Sequence, residues 1–120
     1  MRSIQIRTVG LLAALSLVAF GCGNGDTADR SNDHTIEAGD LFFDPEDLAA
    51  NAGEITFTME NTGAVEHDLR VDETGDEIIG VIDPGETATG SVTLDAGTYT
   101  LYCSVVGHRE AGMEASLDVE

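Results

Sequence analysis

Residues 97–120 read GTYTLYCSVVGHREAGMEASLDVE, and this stretch decides the architecture. Gly97 opens a β-prone run from Thr98 to Cys103. At the far end Leu117 and Val119 alternate with Ser116, Asp118 and Glu120, the period of a strand with one face on a core. Between the two strands runs a loop region carrying Cys103, His108 and Met113, with four residues separating each successive pair. One hairpin therefore presents a thiol, an imidazole and a thioether to a single point.

The same punctuation repeats upstream. Ile55, Phe57 and Met59 alternate with Thr56, Thr58 and Glu60, and Asn61-Thr62-Gly63 ends that strand. Leu69 and Val71 alternate with Asp68, Arg70 and Asp72. This parity puts His67 on the apolar side at the start of its strand and Asp68 on the polar side. Ile78 to Ile82 is mostly apolar, Asp83-Pro84-Gly85 reads as a turn, and Val92 and Leu94 alternate with Ser91, Thr93 and Asp95. Residues 36–48 supply one or two more strands around Pro45. No heptad, long amphipathic helix or internal repeat interrupts the pattern. The expected class is all-β, an antiparallel sandwich of seven or eight strands.

The beginning of the chain has a different character. Arg2 and Arg7 precede a mostly apolar run from Val9 to Phe20, too short to span a bilayer comfortably, so residues 1–21 read as an export signal. Ala19-Phe20-Gly21-Cys22 resembles a bacterial lipobox, with Cys22 as the lipidated residue. An ordinary cleaved signal or an uncleaved anchor is the alternative. Residues 22–33 are polar and without hydrophobic period, a flexible acidic tether, and residues 34–120 form one domain. A domain of that size holds one hydrophobic core and no large substrate cleft.

The chain has 23 acidic residues and no lysine, and after removal of the signal only Arg30, Arg70 and Arg109 oppose them, a net charge of −20. Such a surface repels nucleic acid and anionic headgroups and attracts a basic protein partner. Adaptation to high salt explains the same composition.

With Cys22 lipidated, Cys103 is the one thiol left, in an oxidising compartment where an unpaired cysteine needs a reason. Taken singly, Met113 reads as packing, His108 as a surface residue and Cys103 as a buried apolar filler. Together with His67 on the inward parity of another strand, they read as a metal site. A thiolate, two imidazoles and a thioether suit copper, because soft sulfurs hold Cu(I) while imidazoles tolerate both oxidation states. The remaining histidine, His34, lies at the edge of the tether and is expected on the surface.

At this point the chain is identified as resembling the cupredoxins over nearly all of residues 35–120. Gly97 to Ser104 is similar to the strand leading to the copper cysteine, His108 to Met113 to the histidine-to-methionine segment, and Asn61-x-Gly63-x3-His67-Asp68 to the first-histidine segment. The resemblance implies a Greek-key sandwich and one type 1 copper ion held by His67, Cys103, His108 and Met113. It implies that the backbone of Asp68 bonds the thiolate and that His108 is the electron-passing ligand amid a small apolar patch; Tyr102, beside Cys103, reads either as the mark of a second route or as an ordinary outward strand residue. Tyr99 reads as a structural tyrosine at a strand corner. The sequence departs from the family in having Asp68 where Asn is more usual and Val106 where Pro commonly precedes the glycine.

The function that follows is electron transfer outside the cytoplasm, in the periplasm or at the cell surface. The carrier is a monomer, lipid-anchored through Cys22, between redox partners such as a cytochrome or membrane oxidoreductase. A copper storage, delivery or sensing module is the alternative. An independent enzyme is not expected, since multicopper catalysis needs further histidine-ligated centres and the chain has three histidines.

Overall fold

The computed structural model describes residues 30–120; the expected signal, Cys22 and most of the expected tether lie outside the described residues. Among the described residues nine strands form: β1 (Asp33–Gly39), β2 (Phe42–Asp44), β3 (Asp47–Ala50), β4 (Gly53–Asn61), β5 (His67–Val71), β6 (Glu77–Ile82), β7 (Thr87–Leu94), β8 (Gly97–Tyr102) and β9 (Glu114–Val119). They make two facing sheets, ordered β2-β1-β4-β7 and β3-β9-β8-β5-β6. The all-β sandwich is as expected.

Two details of the sheets differ from the sequence reading. The sheets are mixed rather than purely antiparallel, because β1 runs parallel to β4 and β3 parallel to β9. The strand count is nine because residues 33–50 make three strands. The chain turns at Asp40-Leu41, where Leu41 adopts φ 67°, and turns again at Asp44-Pro45 to leave the first sheet for the second. A chain that changes sheets returns beside a strand it does not follow in sequence, so its pairing need not be antiparallel.

Alternation builds the core. Ile55, Phe57 and Met59 of β4 are fully buried and meet Ile36, Phe43, Leu69, Val71, Leu101 and Leu117 from the neighbouring strands. On the outer face of the β4–β7 pair the hydroxyls of Thr56 and Ser91, and of Thr58 and Thr89, hydrogen-bond across the strands at 3.0 and 3.1 Å. Tyr99 donates its hydroxyl proton to the Asp95 carbonyl at 2.7 Å, tying β8 to the turn before it. Where β7 passes β6, Gly90 lies so close that a Cβ would stand 1.9 Å from the Ile78 carbonyl oxygen. Only glycine permits this approach of the two sheet edges.

The first described residues are bound to the sandwich rather than free of it. Arg30 pairs with Asp118 and Glu120 at 3.0 and 2.8 Å, and the Asn32 amide donates to the Asn51 and Glu54 carbonyls. Residues 30–33, read from sequence as the end of the tether, thus belong to the domain, with Asp33 opening β1. His34 is half-buried in β1, its ring stacked on Phe57 at 5.5 Å.

Candidate metal centre

One end of the sandwich gathers the loops that follow β1, β4 and β8. The β4–β5 loop is shaped by Asn61, which is buried. Its amide donates to the Val65 and Ile82 carbonyls at 2.9 and 3.2 Å, and its oxygen accepts the Gly63 N–H at 3.0 Å. The next strand therefore begins in a fixed place, and His67 at its head is 0 % exposed, on the inward side that parity predicts.

The β8–β9 loop is a series of tight turns. The His108 N–H donates to the Val105 carbonyl at 3.0 Å, and the His108 carbonyl accepts from Ala111 and Met113 at 3.2 and 3.1 Å. The Cys103 N–H donates to the Met113 carbonyl at 3.2 Å. The backbone thus closes on itself around the three residues that the spacing singled out. Cys103 and Met113 are both fully buried, while His108 is half-buried.

Three ligating atoms converge. His67 Nδ1 stands 3.2 Å from His108 Nδ1 and 3.9 Å from Cys103 Sγ, and His108 Nδ1 stands 3.6 Å from the same sulfur. The two imidazole rings are tilted at 55°, with centroids 5.0 Å apart. Met113, fully buried, is tied by its backbone to Cys103 and His108.

Burial pushes the Cys103 thiol up from its ordinary value, against the backbone N–H groups of Asp68 and Val105, which favour the thiolate. Burial, then the neighbouring His108, holds His67 below its ordinary value of 6.5; Asp40 and Asp68 oppose this. Both shifts favour neutral groups. Two imidazole nitrogens and a sulfur within 4.8 Å of one another are a donor set that a soft or borderline metal ion would satisfy. The residues present fit a copper ion.

Asp68 is a correction to the sequence reading. Strand parity puts it on the polar face, yet it is 2 % exposed. Its carboxylate accepts the Ser104 N–H at 2.6 Å, the Ser104 hydroxyl, and Arg70 Nε–H at 3.3 Å. Arg70 in turn pairs with Glu77. The side chain after one histidine thus grips the residue after the cysteine, binding the two halves of the site together. Parity fails here because it registers only the strand's own sheet, not the β8–β9 loop laid over its end.

Arg109 is a second feature that local pattern does not reveal. Its guanidinium lies 4.4 Å from the centre of the Tyr102 ring and pairs with Asp72 at 2.9 Å and Glu114 at 2.6 Å. Asp72 and then Glu114 raise its pKa further above the ordinary arginine value. The ring expected as an outlying electron route is therefore capped by a cation. Val106, where the family resemblance expects proline, is 97 % exposed. Leu41 and Val65, on the loops after β1 and β4, are also exposed.

The family model described as "Cupredoxin-like domain" matches residues 11–113. Among solved structures, the sodium-dithionite-reduced auracyanin of Roseiflexus castenholzii is 21 % identical, covering 76 % of this chain and 98 % of its own, with a TM-score of 0.67. Auracyanin A of Chloroflexus aurantiacus, titled a "blue" copper protein, is 26 % identical over 73 % of this chain and 99 % of its own, with a TM-score of 0.61. A multicopper oxidase also matches, at 18 % identity and a TM-score of 0.61, over 73 % of this chain but only 41 % of the oxidase. No curated protein matches the chain in sequence. The family match, together with a two-sheet β-sandwich shared with auracyanins, places this chain in the cupredoxin-like family.

Proposed function

We propose that this protein is a one-electron carrier holding a single copper ion through His67, Cys103, His108 and Met113. The observation that carries the reading is the convergence of His67 Nδ1, His108 Nδ1 and Cys103 Sγ, all within 4.8 Å of one another. When bound, copper supplies a Cu(II)/Cu(I) couple in a donor set that suits both oxidation states. The protein's part is to hold the donors still. Asp68 fixes Ser104 against β5, and Arg109 fixes the loop against Tyr102, Asp72 and Glu114. A site held this way supports retention of the metal rather than its handover, which favours electron transfer over storage or delivery.

His108, less buried than His67 and Cys103, is the ligand nearest to solvent and the proposed point of electron exit. The chain offers three histidines, too few for the further copper centres of an oxidase, so the proposed protein is a carrier and not an enzyme. The leader-like run at 1–21 and the lipobox-like Cys22 support a lipid-anchored monomer outside the cytoplasm. The acidic surface supports a basic redox partner such as a cytochrome.

Protein loaded with Cu(II) is expected to show intense visible thiolate-to-copper charge transfer, and Cys103→Ser to abolish it. Reversible cycling of the bound ion with a cytochrome supports the carrier. Transfer of the ion to a second protein without cycling would support delivery instead, and a colourless Cu(II) complex of the unaltered protein would overturn the copper reading.

A further inference from the structure

The two nitrogens of His67 have unlike surroundings. Nδ1 faces His108 and Cys103, whereas Nε2 is buried with no hydrogen-bond partner. A carboxylate oxygen, Asp40 Oδ1, stands 3.9 Å from that Nε2. Asp40 sits in the β1–β2 turn, and the same oxygen accepts the Ala64 N–H at 2.8 Å, which fastens the turn to the β4–β5 loop.

Gly63 makes the approach possible. A Cβ at this position would stand 2.4 Å from Asp40 Oδ1 and 3.0 Å from His67 Nε2, in the gap between them. The gap exists because residue 63 has no side chain. Two segments distant in sequence, the β1–β2 turn and the loop leading into β5, thus bring an anionic acceptor to an orphaned donor, and the carboxylate, 54 % exposed, has room to turn through the distance to hydrogen-bond range.

We propose that Asp40 is the positioning residue for His67. Its carboxylate takes the Nε2–H, which holds the ring in the Nε2-protonated tautomer and leaves the Nδ1 lone pair directed at His108 and Cys103. With a full negative charge behind the ring, Nδ1 becomes a stronger donor. It then favours the doubly charged metal ion over the singly charged one and lowers the reduction potential. The tautomer part stands on the geometry alone; the potential part rests on the proposed copper function.

Three variants test the assignment. Asp40→Asn keeps an acceptor for the Ala64 N–H but removes the charge, Asp40→Ala removes both, and Gly63→Ala fills the gap. In copper-free protein, nitrogen-15 chemical shifts of His67 are expected to show the Nε2–H tautomer in the unaltered chain and a mixture in Asp40→Ala. In copper-loaded protein, both Asp40 variants are expected to raise the reduction potential and to weaken Cu(II) binding roughly tenfold. Unchanged tautomer and potential in both, with native amide spectra, overturn the proposal. Should Gly63→Ala not fold, the Asp40 variants, changed at an exposed side chain, decide the matter. Should the unaltered protein bind Cu(II) without colour, the proposed function falls, while the copper-free tautomer still decides the Asp40 contact.

Discussion

His67 and Cys103 show what enclosure does to single side chains. Burial holds His67 below 6.5, so in copper-free protein the unfolded chain takes up a proton there before the folded one does. The stability from this group is complete above pH 6.5 and is lost as pH falls from there through the folded value. Urea midpoints of copper-free protein between about pH 8 and pH 5 are expected to fall with acidification, and His67→Asn to flatten that fall. The range stays above the region where Asp72 and Glu73 titrate: both carboxyls are held below their ordinary values. For Asp72 the main cause is the Arg109 hydrogen bond. For Glu73, burial pushes upward but the Thr100 N–H outweighs it. At this scale the sequence was informative about residue types and poor about partners. Cys103, His108 and Met113 were legible because one loop carries them. Asp40 and Ser104 were not, because each meets its partner, His67 or Asp68, from an element far away in the chain.

At the scale of elements, alternation in β4, β7 and β9 read correctly because each of these strands has one face on the core and one toward solvent. Residues 33–50 read poorly, because Leu41, an apolar residue that looks like a continuation toward Phe42 and Phe43, takes the second place of a two-residue turn after Gly39. A leucine at φ 67° is disfavoured by about 1–2 kcal/mol, so its own propensity argues against the turn that Gly39 and Asp40 favour. The β8–β9 loop lacks the rigid proline that the family resemblance led one to expect, and Arg109 supplies a different restraint by gripping β8, the residue after β5 and the start of β9 at once. Arg109→Ala is therefore expected to speed amide exchange across residues 105–112 and to hasten loss of bound copper to a chelator, with the fold retained. Unaltered exchange and copper release would show that the loop's own turns are sufficient.

Across the whole molecule, unbalanced negative charge governs the response to solvent. All three arginines among the described residues are committed to carboxylates, and the acids left over repel one another. Added salt is expected to raise the thermal midpoint, most steeply between low ionic strength and about 0.15 M, where screening shortens to about 8 Å. The rate of reduction by a basic cytochrome should fall over the same range. A midpoint indifferent to salt would mean that the acids are too dispersed to strain the fold.

The docking of Arg30 on Asp118 and Glu120 gives the molecule a heading. β1 leaves that docked segment and runs its seven residues, roughly 23 Å, before delivering Asp40 beside His67. Arg30 thus marks one pole of the sandwich, and the converging side chains of His67, Cys103 and His108 occupy the other. The half-buried imidazole of His108 therefore lies at the pole opposite the docked Arg30. A partner that docks on the ligand pole thus leaves the ion pairs of Arg30 with Asp118 and Glu120 uncovered, and one that docks on Arg30 leaves the ligands open.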